Sequence, residues 1–272
     1  MPELPEVETV VRALRDPLVG RTFASFESYW PNQIVVPDDI KELEARIVGR
    51  TVTAITRRAK YIVMSLDDGA ETLIVHLKMT GHLAVVHSDQ PIHKHVRNLF
   101  KLEGDDDLRF RDMRKFGRIY LVKDPLEILH KLGPEPLEDD FTADVFKQRI
   151  AGRKRVIKPL LLDQTIVAGV GNIYADESLF YAKIRPDRTA DTLTATEVER
   201  LWAGIRDSLQ KGVDREGASI DTYVKPDGSK GDMQNAVNVF RRTGHPCYEC
   251  SGVIERIVLA QRSTHFCPQC QR

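Results

Sequence analysis

The cysteines are the feature of this chain that most constrains its fold. All four lie in the last 26 residues, as CYEC at 247–250 and CPQC at 267–270. In a reducing cytosol two disulfides are not expected, whereas the spacing C-x2-C-x16-C-x2-C is typical of four thiolates around one zinc ion. Such a site leaves no position open for water, so the zinc is expected to be structural, with Cys247, Cys250, Cys267 and Cys270 as its ligands.

The length of the chain allows two domains, and its charge favours no class of partner. The chain has 272 residues, 40 of them basic and 40 acidic, with a net charge of −3 over the first 150 residues and +3 over the rest. A nucleic acid would therefore have to be bound by local basic patches. No apolar run has the length of a membrane span, and the acidic N-terminus is unlike a secretory signal. We expect a soluble, cytoplasmic protein.

The pattern of apolar residues changes once along the chain. After a helix predicted for VETVVRALRDPL, residues 21–125 alternate apolar and polar side chains around the turn sequences DDG and GDDD, which predicts an antiparallel sandwich or barrel. HKLGPEPLEDDF reads as a hinge. Helical periodicity follows in FTADVFKQRIAG, IKPLLLDQTIV, NIYADESLFYAKI and TATEVERLWAGIRDSLQKGV. The chain is thus predicted to be α+β, with strands first and helices second.

The first residues, MPELPEVETV, allow two interpretations. Proline and glutamate suit the first turn of a helix, where backbone N–H groups lack partners. Alternatively, removal of Met1 would give Pro2 a free secondary amine, which can attack a carbon electrophile and form an iminium. The first ten residues alone do not decide between them.

Several further stretches carry residues suited to nucleic-acid binding, and each also has an ordinary structural interpretation. Asn172 begins a predicted amphipathic helix after a glycine turn, and GRKRVIKP groups Arg153 and Lys158 with other basic residues. RDMRKFGR places Arg114 and Phe116 at the tip of a predicted strand and turn. Lys60 is predicted on a β stretch, Met79 reads as a core residue, and Arg262 lies between the cysteine pairs near the turn of a predicted hairpin. His93, in HKHVRN, is a further candidate for a phosphate contact.

Together these stretches resemble one family. PELPEVET, RRAKY, HLKMTG, RDMRKFG, LGPEPL, GVGNIYADE and AQRSTHFCPQCQ are similar, in order and over the whole chain, to motifs of the formamidopyrimidine-DNA glycosylase family of bacterial base-excision repair. The resemblance implies that Pro2 is a nucleophile. It implies a bifunctional glycosylase and abasic-site lyase that flips out and excises oxidised purines, then cleaves the strand by β- and δ-elimination.

The resemblance also implies roles for individual residues. Glu3 would protonate the sugar ring oxygen, and Glu6 would position the N-terminal segment. Lys60 and Arg262 would contact phosphate and assist β- and δ-elimination. Met79, Arg114 and Phe116 would fill the gap left by the flipped nucleotide, with Arg114 hydrogen-bonding the orphaned base. Further DNA contacts are expected from a set of four residues, namely His93, Arg153, Lys158 and Asn172.

The implied fold is a β-sandwich with an N-terminal helix (1–130), a hinge (131–137), a helix-two-turn-helix domain with a lesion-covering loop (138–236) and a zinc finger (237–272). Damaged double-stranded DNA would lie in the cleft between domains, and the enzyme is expected to be a monomer in the bacterial cytoplasm, associated with the nucleoid through DNA.

Two alternatives remain at this stage. The endonuclease VIII branch, which removes oxidised pyrimidines, begins PEGPE where this chain has PELPE, and it lacks the RKFG insertion. The other is a DNA-binding module without catalysis, against which the intact N-terminal motif and Lys60 argue. The chain departs from the family's pattern in the lesion-covering loop, where Ala218 and Ser219 stand in place of the Gly-Thr that family members often have. This difference puts in question how the loop covers an extruded purine.

Overall fold

The structure is a computed structural model that describes residues 1–220 and 223–272. These residues form two compact units, the first made of 1–130 with 216–231 and the second of 131–215 with 232–272. The loop that begins at Glu216 thus groups with the first unit. The predicted boundaries after residues 130, 137 and 236 stay a prediction.

The described residues of the first unit form three α-helices, the last of them short, and nine strands. Their bounds are α1 Leu4–Leu18, β1 Phe23–Ser28, β2 Ile34–Val36, α2 Ile40–Ile47, β3 Val52–Arg58, β4 Tyr61–Leu66, β5 Glu71–His76, β6 Gly81–His87, β7 Val96–Leu102, β8 Asp106–Asp112, β9 Arg118–Val122 and α3 Leu126–Leu129. The strands form a four-stranded sheet in the order β1-β7-β8-β6 and a five-stranded sheet in the order β2-β9-β5-β4-β3. Both predicted hairpins are confirmed, β4–β5 around Asp67–Gly69 and β7–β8 around Gly104.

Apolar side chains of the two sheets and of α1 share one core. It includes Leu14 of α1, Phe100 of the four-stranded sheet and Leu73 of the five-stranded sheet, all fully buried. Among the described strands the pairing is antiparallel apart from the short parallel pair β2–β9. The α+β prediction, with a β-sandwich and an N-terminal helix, is confirmed.

The second unit is helical and ends in a hairpin. Its elements are α4 Ala143–Ile150, α5 Ile157–Leu161, α6 Asn172–Ala182, α7 Ala195–Asp214, β10 Glu255–Leu259 and β11 Arg262–Phe266. Helix α7 begins at the N-cap Thr194, whose hydroxyl accepts a hydrogen bond from Glu197 N at 3.3 Å. Glycines let α7 approach α6 closely, since a Cβ at Gly212 would lie 2.5 Å from the Tyr174 ring.

Helix α6 corrects one expectation. The sequence predicts an amphipathic helix, but nine of its eleven residues are buried. The buried face includes Asp176 and Glu177, whose carboxylates are satisfied by contacts from other segments. Among the described residues, no helix is both long and apolar enough to span a bilayer.

Candidate active site and nucleic-acid interface

The N-terminal segment is buried and precedes the first helix. Met1 is 50% exposed, Pro2 and Glu3 are buried, and α1 begins at Leu4, three residues before the predicted start. Glu3 is the N-cap, and its backbone N–H donates to Glu6 Oε2 at 2.8 Å. Glu3, Pro5 and Glu6 therefore supply the helix start, and Pro2 lies outside the first turn.

Glu6 also holds the loop that begins at Glu216. Its Oε1 accepts a hydrogen bond from the Ala218 N–H at 2.7 Å, and its backbone carbonyl accepts one from the Tyr223 hydroxyl at 3.2 Å. Gly217 has a φ of +80°, and a Cβ there would lie 2.8 Å from Glu6 Cγ. One buried carboxylate thus connects the backbone next to Pro2 with this loop.

The two unusual residues of the loop have defined places. Ala218 is buried and uses its backbone for the contact with Glu6, so its methyl group is tolerated there. The Ser219 hydroxyl accepts a hydrogen bond from the Gly231 N–H at 2.9 Å and so links the two ends of the loop. The predicted lesion-covering loop also contains Asp221 and Thr222, which lie outside the described residues.

Lys60 lies in a turn and not on a strand, which corrects the prediction. Ala59, with a φ of +52°, and Lys60 connect β3 to β4, and Lys60 is 5% exposed. Its neighbour His76, at the end of β5, was not selected from the sequence. Burial, followed by the charges of Lys78 and Lys60, lowers the pKa of His76 to about 3, so the ring is neutral at pH 7.

Met79, Arg114 and Phe116 lie on two loops that share a support. Met79 is in the β5–β6 connection and the other two are in the β8–β9 connection, and all three are exposed. Between these loops Thr80 Oγ1 donates to Asp112 Oδ1 at 2.5 Å, and Arg114 N–H donates to Thr80 Oγ1 at 3.0 Å.

Asp112 is the centre of this support. It is fully buried, and its Oδ2 accepts hydrogen bonds from Gly117 N and Gln33 Nε2, each at 2.8 Å. The carboxylate thereby fixes the ends of the loop that carries Arg114 and Phe116. The sequence shows an aspartate in RDMRKFG but gives no sign of its partner Thr80, 32 residues earlier in the chain.

In the second unit, Asn172 lies beside the strand that begins with Arg262. It is the first residue of α6, and its Nδ2 donates to the Ser263 carbonyl at 3.0 Å. Its buried Oδ1 has no hydrogen-bond partner among the described residues. Arg262 itself is exposed at the start of β11, directly after the hairpin turn, as predicted from its position between the cysteine pairs.

Lys158 is not at the surface, although a direct phosphate contact is predicted for it. The side chain is fully buried, with Nζ 2.7 Å from Asp176 Oδ1 and 2.8 Å from the Ser263 carbonyl. Asp176 Oδ2 in turn accepts from the backbone and ring N–H groups of His265. Lys158 and Asn172 both donate to the Ser263 carbonyl, so the buried lysine supports β11 at the residue that Asn172 contacts.

The two remaining predicted contacts are exposed side chains. Arg153 is exposed and its Nε donates to the Arg149 carbonyl at 2.7 Å. His93 is exposed, and its Nδ1 accepts from the His95 N–H at 3.1 Å within its own loop. Both side chains are accessible to a polyanion.

The four cysteines come together around the base of the β10–β11 hairpin. One sulfur from each of Cys247, Cys250, Cys267 and Cys270 lies within 4.8 Å of every other, and none is in a disulfide. Tetrahedral Zn–S bonds of about 2.3 Å place sulfurs about 4 Å apart, so the donor set fits one zinc ion. The prediction of a structural zinc site is confirmed.

Removing this zinc is expected to unfold the hairpin and leave the β-sandwich intact. Metal binding supplies most of the folding free energy of such small elements, about 10–16 kcal/mol in isolated zinc fingers. In Cys250→Ser, the amides of β11 should therefore lose protection from hydrogen exchange while those of β4 and β5 keep theirs. Fully protected β11 amides in the metal-free protein would contradict this. In the control, zinc is added back to chelated wild-type protein, and the protection of the β11 amides should return.

Comparison with known proteins covers the whole chain. The model of the formamidopyrimidine-DNA glycosylase N-terminal domain matches residues 1–119, that of the glycosylase's H2TH domain matches 132–224, and a zinc finger found in FPG and IleRS matches 244–272. The formamidopyrimidine-DNA glycosylase of Herpetosiphon aurantiacus is 47% identical, and that of Geobacillus kaustophilus 43%, each over 100% of both chains.

Solved structures of Fpg proteins are also similar to the chain over its whole length. The Lactococcus lactis Fpg in complex with DNA containing an abasic site has a TM-score of 0.93 at 38% identity, covering 99% of both chains. A mutant of the same protein in complex with Fapy-dG DNA also has a TM-score of 0.93, at 38% identity and covering 100% of both chains.

Proposed function

The chain belongs to the formamidopyrimidine-DNA glycosylase family, and on this basis we propose that it excises oxidised purines from duplex DNA with Pro2 as the nucleophile. The observation that carries the proposal is the double contact of Glu6, which accepts from Glu3 N and from Ala218 N. A nucleophile needs a fixed position relative to the group that binds the damaged base. The Glu6 carboxylate supplies that connection within the first unit.

The chemistry begins at Pro2 once Met1 has been removed. The flipped nucleotide presents C1′, and the Pro2 nitrogen forms a bond to it while the bond from C1′ to the base breaks. The Pro2 nitrogen loses its proton in this step, and the departing base gains one. Glu3 donates a proton to the sugar ring oxygen, which opens the ring and leaves an iminium between Pro2 and C1′. The iminium withdraws electrons and acidifies the C2′ hydrogen.

Two eliminations then cleave the strand. Loss of the C2′ proton expels the 3′ phosphate (β-elimination), and a second elimination expels the 5′ phosphate (δ-elimination). Lys60 assists the first step and Arg262 the second by stabilising the negative charge of the leaving phosphates. Hydrolysis of the iminium returns the free Pro2 amine.

Contacts to the phosphate backbone come from exposed groups of both units. We assign them to Arg262, Arg153, Asn172 and His93, and we assign Lys158 a positioning role because it is buried. Met79, Arg114 and Phe116 fill the space left by the flipped nucleotide, with their loops joined through Asp112 and Thr80.

The experiment that tests this function uses a duplex with one 8-oxoguanine opposite cytosine. We expect release of the base and a one-nucleotide gap with phosphate at both ends, the product of β- and δ-elimination. A matched duplex with an oxidised pyrimidine should be cut more slowly. Faster cutting of the pyrimidine would favour the endonuclease VIII specificity, and binding without cleavage would favour a DNA-binding module.

Arg114 is expected to read the base opposite the lesion. Its guanidinium can donate to the acceptors on the Watson–Crick edge of cytosine, whereas adenine lacks that acceptor pair. Such a contact contributes about 1–3 kcal/mol, or about 5- to 150-fold in rate. Arg114→Ala should slow excision opposite cytosine and narrow its preference over adenine in single-turnover assays.

Phe116→Ala is the comparison for this variant, since loss of a wedge should slow excision opposite both bases alike. A full cytosine-over-adenine preference in Arg114→Ala would place the selectivity elsewhere.

Arg262 is expected to contribute about one unit to the slope of log K against log salt for DNA binding. Each phosphate contact releases about 0.9 counterions, so Arg262→Ala should lower the slope of log K against log salt by about that amount. Arg256→Ala is the matched control, because that arginine already donates to Ser263 Oγ at 2.9 Å. Equal slopes for wild type and Arg262→Ala would remove Arg262 from the interface.

The zinc ion stabilises the hairpin that carries Arg262, and we infer that it takes no part in the reaction because four thiolates fill its coordination. Of the described helices none could span a membrane, and we place the enzyme in the bacterial cytoplasm, acting as a monomer on damaged double-stranded DNA.

A further inference from the structure

In the loop from Met113 to Gly117, the side chain of Lys115 turns away from those of its neighbours. Met113, Arg114 and Phe116 are exposed, whereas Lys115 is half-buried. Lys115 has a φ of +62°, and its Nζ lies 3.6 Å from the centroid of the Trp30 ring. A residue with a Cβ keeps left-handed backbone only where its surroundings hold it there. The contact with Trp30 is such a restraint.

The turn at Lys115 brings its two neighbours together. The Arg114 guanidinium carbon lies 4.8 Å from the centroid of the Phe116 ring, so the two side chains project next to each other. Asp112 accepts from the backbone of Arg114 and Gly117 and fixes the ends of the loop. The middle of the loop is Lys115, which is held instead through its side chain.

One short segment supports both parts of the loop. Trp30 directly precedes the turn Pro31–Gln33. Gln33 donates to Asp112, and a Cβ on Gly117 would lie 3.0 Å from Gln33 Nε2. Residues 30–33 therefore contact the middle of the loop through Trp30 and its end through Gln33.

We propose that Trp30 is a positioning residue for partner-base recognition, acting through Lys115 to fix the turn that places Arg114 beside Phe116. The inference rests on the proposed function of Arg114. Lys115 is in consequence committed to Trp30 and is not a phosphate contact, although the sequence places it in a basic run.

The role predicts a small effect on stability and a measurable effect on selectivity. Partly exposed cation–π contacts are weak, so loss of this one leaves the sandwich folded. The loop then samples conformations in which Arg114 no longer faces the orphaned base. Trp30→Leu and Lys115→Met should each narrow the cytosine-over-adenine preference by about two- to fivefold, the change that corresponds to a contact of this strength.

The test is single-turnover excision of 8-oxoguanine opposite each base by Trp30→Leu, Lys115→Met and the double variant, with Trp30→Phe and Lys115→Arg as conservative controls. We expect the double variant to lose no more preference than either single variant. The controls should keep the wild-type preference, and the thermal unfolding midpoint should change little in any of these variants. Additive losses, an unchanged preference in both single variants, or equal loss in Trp30→Phe would overturn the proposal.

A second readout does not depend on catalysis. The chain has two tryptophans, so in a Trp202→Phe background Trp30 alone emits. Lys115→Met should shift this emission in the free protein, and Lys154→Met should not. If the wild-type protein failed to excise 8-oxoguanine, the proposed function would fall; an unchanged Trp30 emission in Lys115→Met would instead overturn the contact on which this inference depends.

Discussion

Pro2→Gly should reduce excision of 8-oxoguanine on the order of a hundredfold or more, the largest loss we expect from any single substitution. Proline forms an iminium that carries a permanent positive charge, whereas a terminal glycine forms an imine that must be protonated before it withdraws electrons. The loss should appear in the single-turnover rate with little change in DNA affinity, because Pro2 acts on the reacting carbon.

An uncleaved N-terminal extension is the matched test of the same group. It leaves the proline side chain in place but converts its nitrogen to an amide, which is not nucleophilic, so activity should be lost completely. Full activity of the extended protein would rule out Pro2 as the nucleophile. Leu4→Met, which changes a buried neighbour of similar size without altering the amine, should keep most of the rate.

Lys158→Met should destabilise the second unit by about 3–5 kcal/mol. The substitution leaves the Asp176 carboxylate buried without its cation, and an uncompensated buried charge costs about that much. For a protein of this size the loss corresponds to a fall in the unfolding midpoint on the order of 10 °C. Thermal unfolding followed by near-UV circular dichroism measures it.

Lys154→Met is the control, because Lys154 lies four residues away and is exposed. Adding Asp176→Asn to Lys158→Met should recover part of the stability, since the buried charge is then absent. Suppose instead that Lys158→Met is as stable as Lys154→Met and its salt slope falls by about one. Lys158 would then reach phosphate directly, as its basic context first indicated.

The sequence predicts features that depend on local spacing. The paired cysteines define the zinc site, and DDG and the glycine of GDDD set the two hairpins because these residues accept left-handed backbone. The strand-to-helix change near residue 130 follows from a change in apolar period. These features need information from only a few neighbouring residues.

Features that depend on distant partners could not be predicted. Glu6 contacts Ala218, 212 residues later, and Lys158 is buried because Asp176 and Ser263 meet it from other elements. The RKR sequence at 153–155 indicates a solvated patch, and its three residues are indeed exposed. Helix α6 is predicted to be amphipathic, whereas its carboxylates Asp176 and Glu177 accept hydrogen bonds in the interior from segments far along the chain.

The most direct test of the account is to find which nitrogen forms the covalent intermediate. Borohydride added during reaction with 8-oxoguanine duplex should reduce the iminium and link protein to DNA. Digestion and mass spectrometry should then locate the linkage on the peptide that begins with Pro2, with Met1 absent. A linkage on Lys60, or trapping of protein that still carries Met1, would contradict the proposal that the Pro2 amine carries out the reaction.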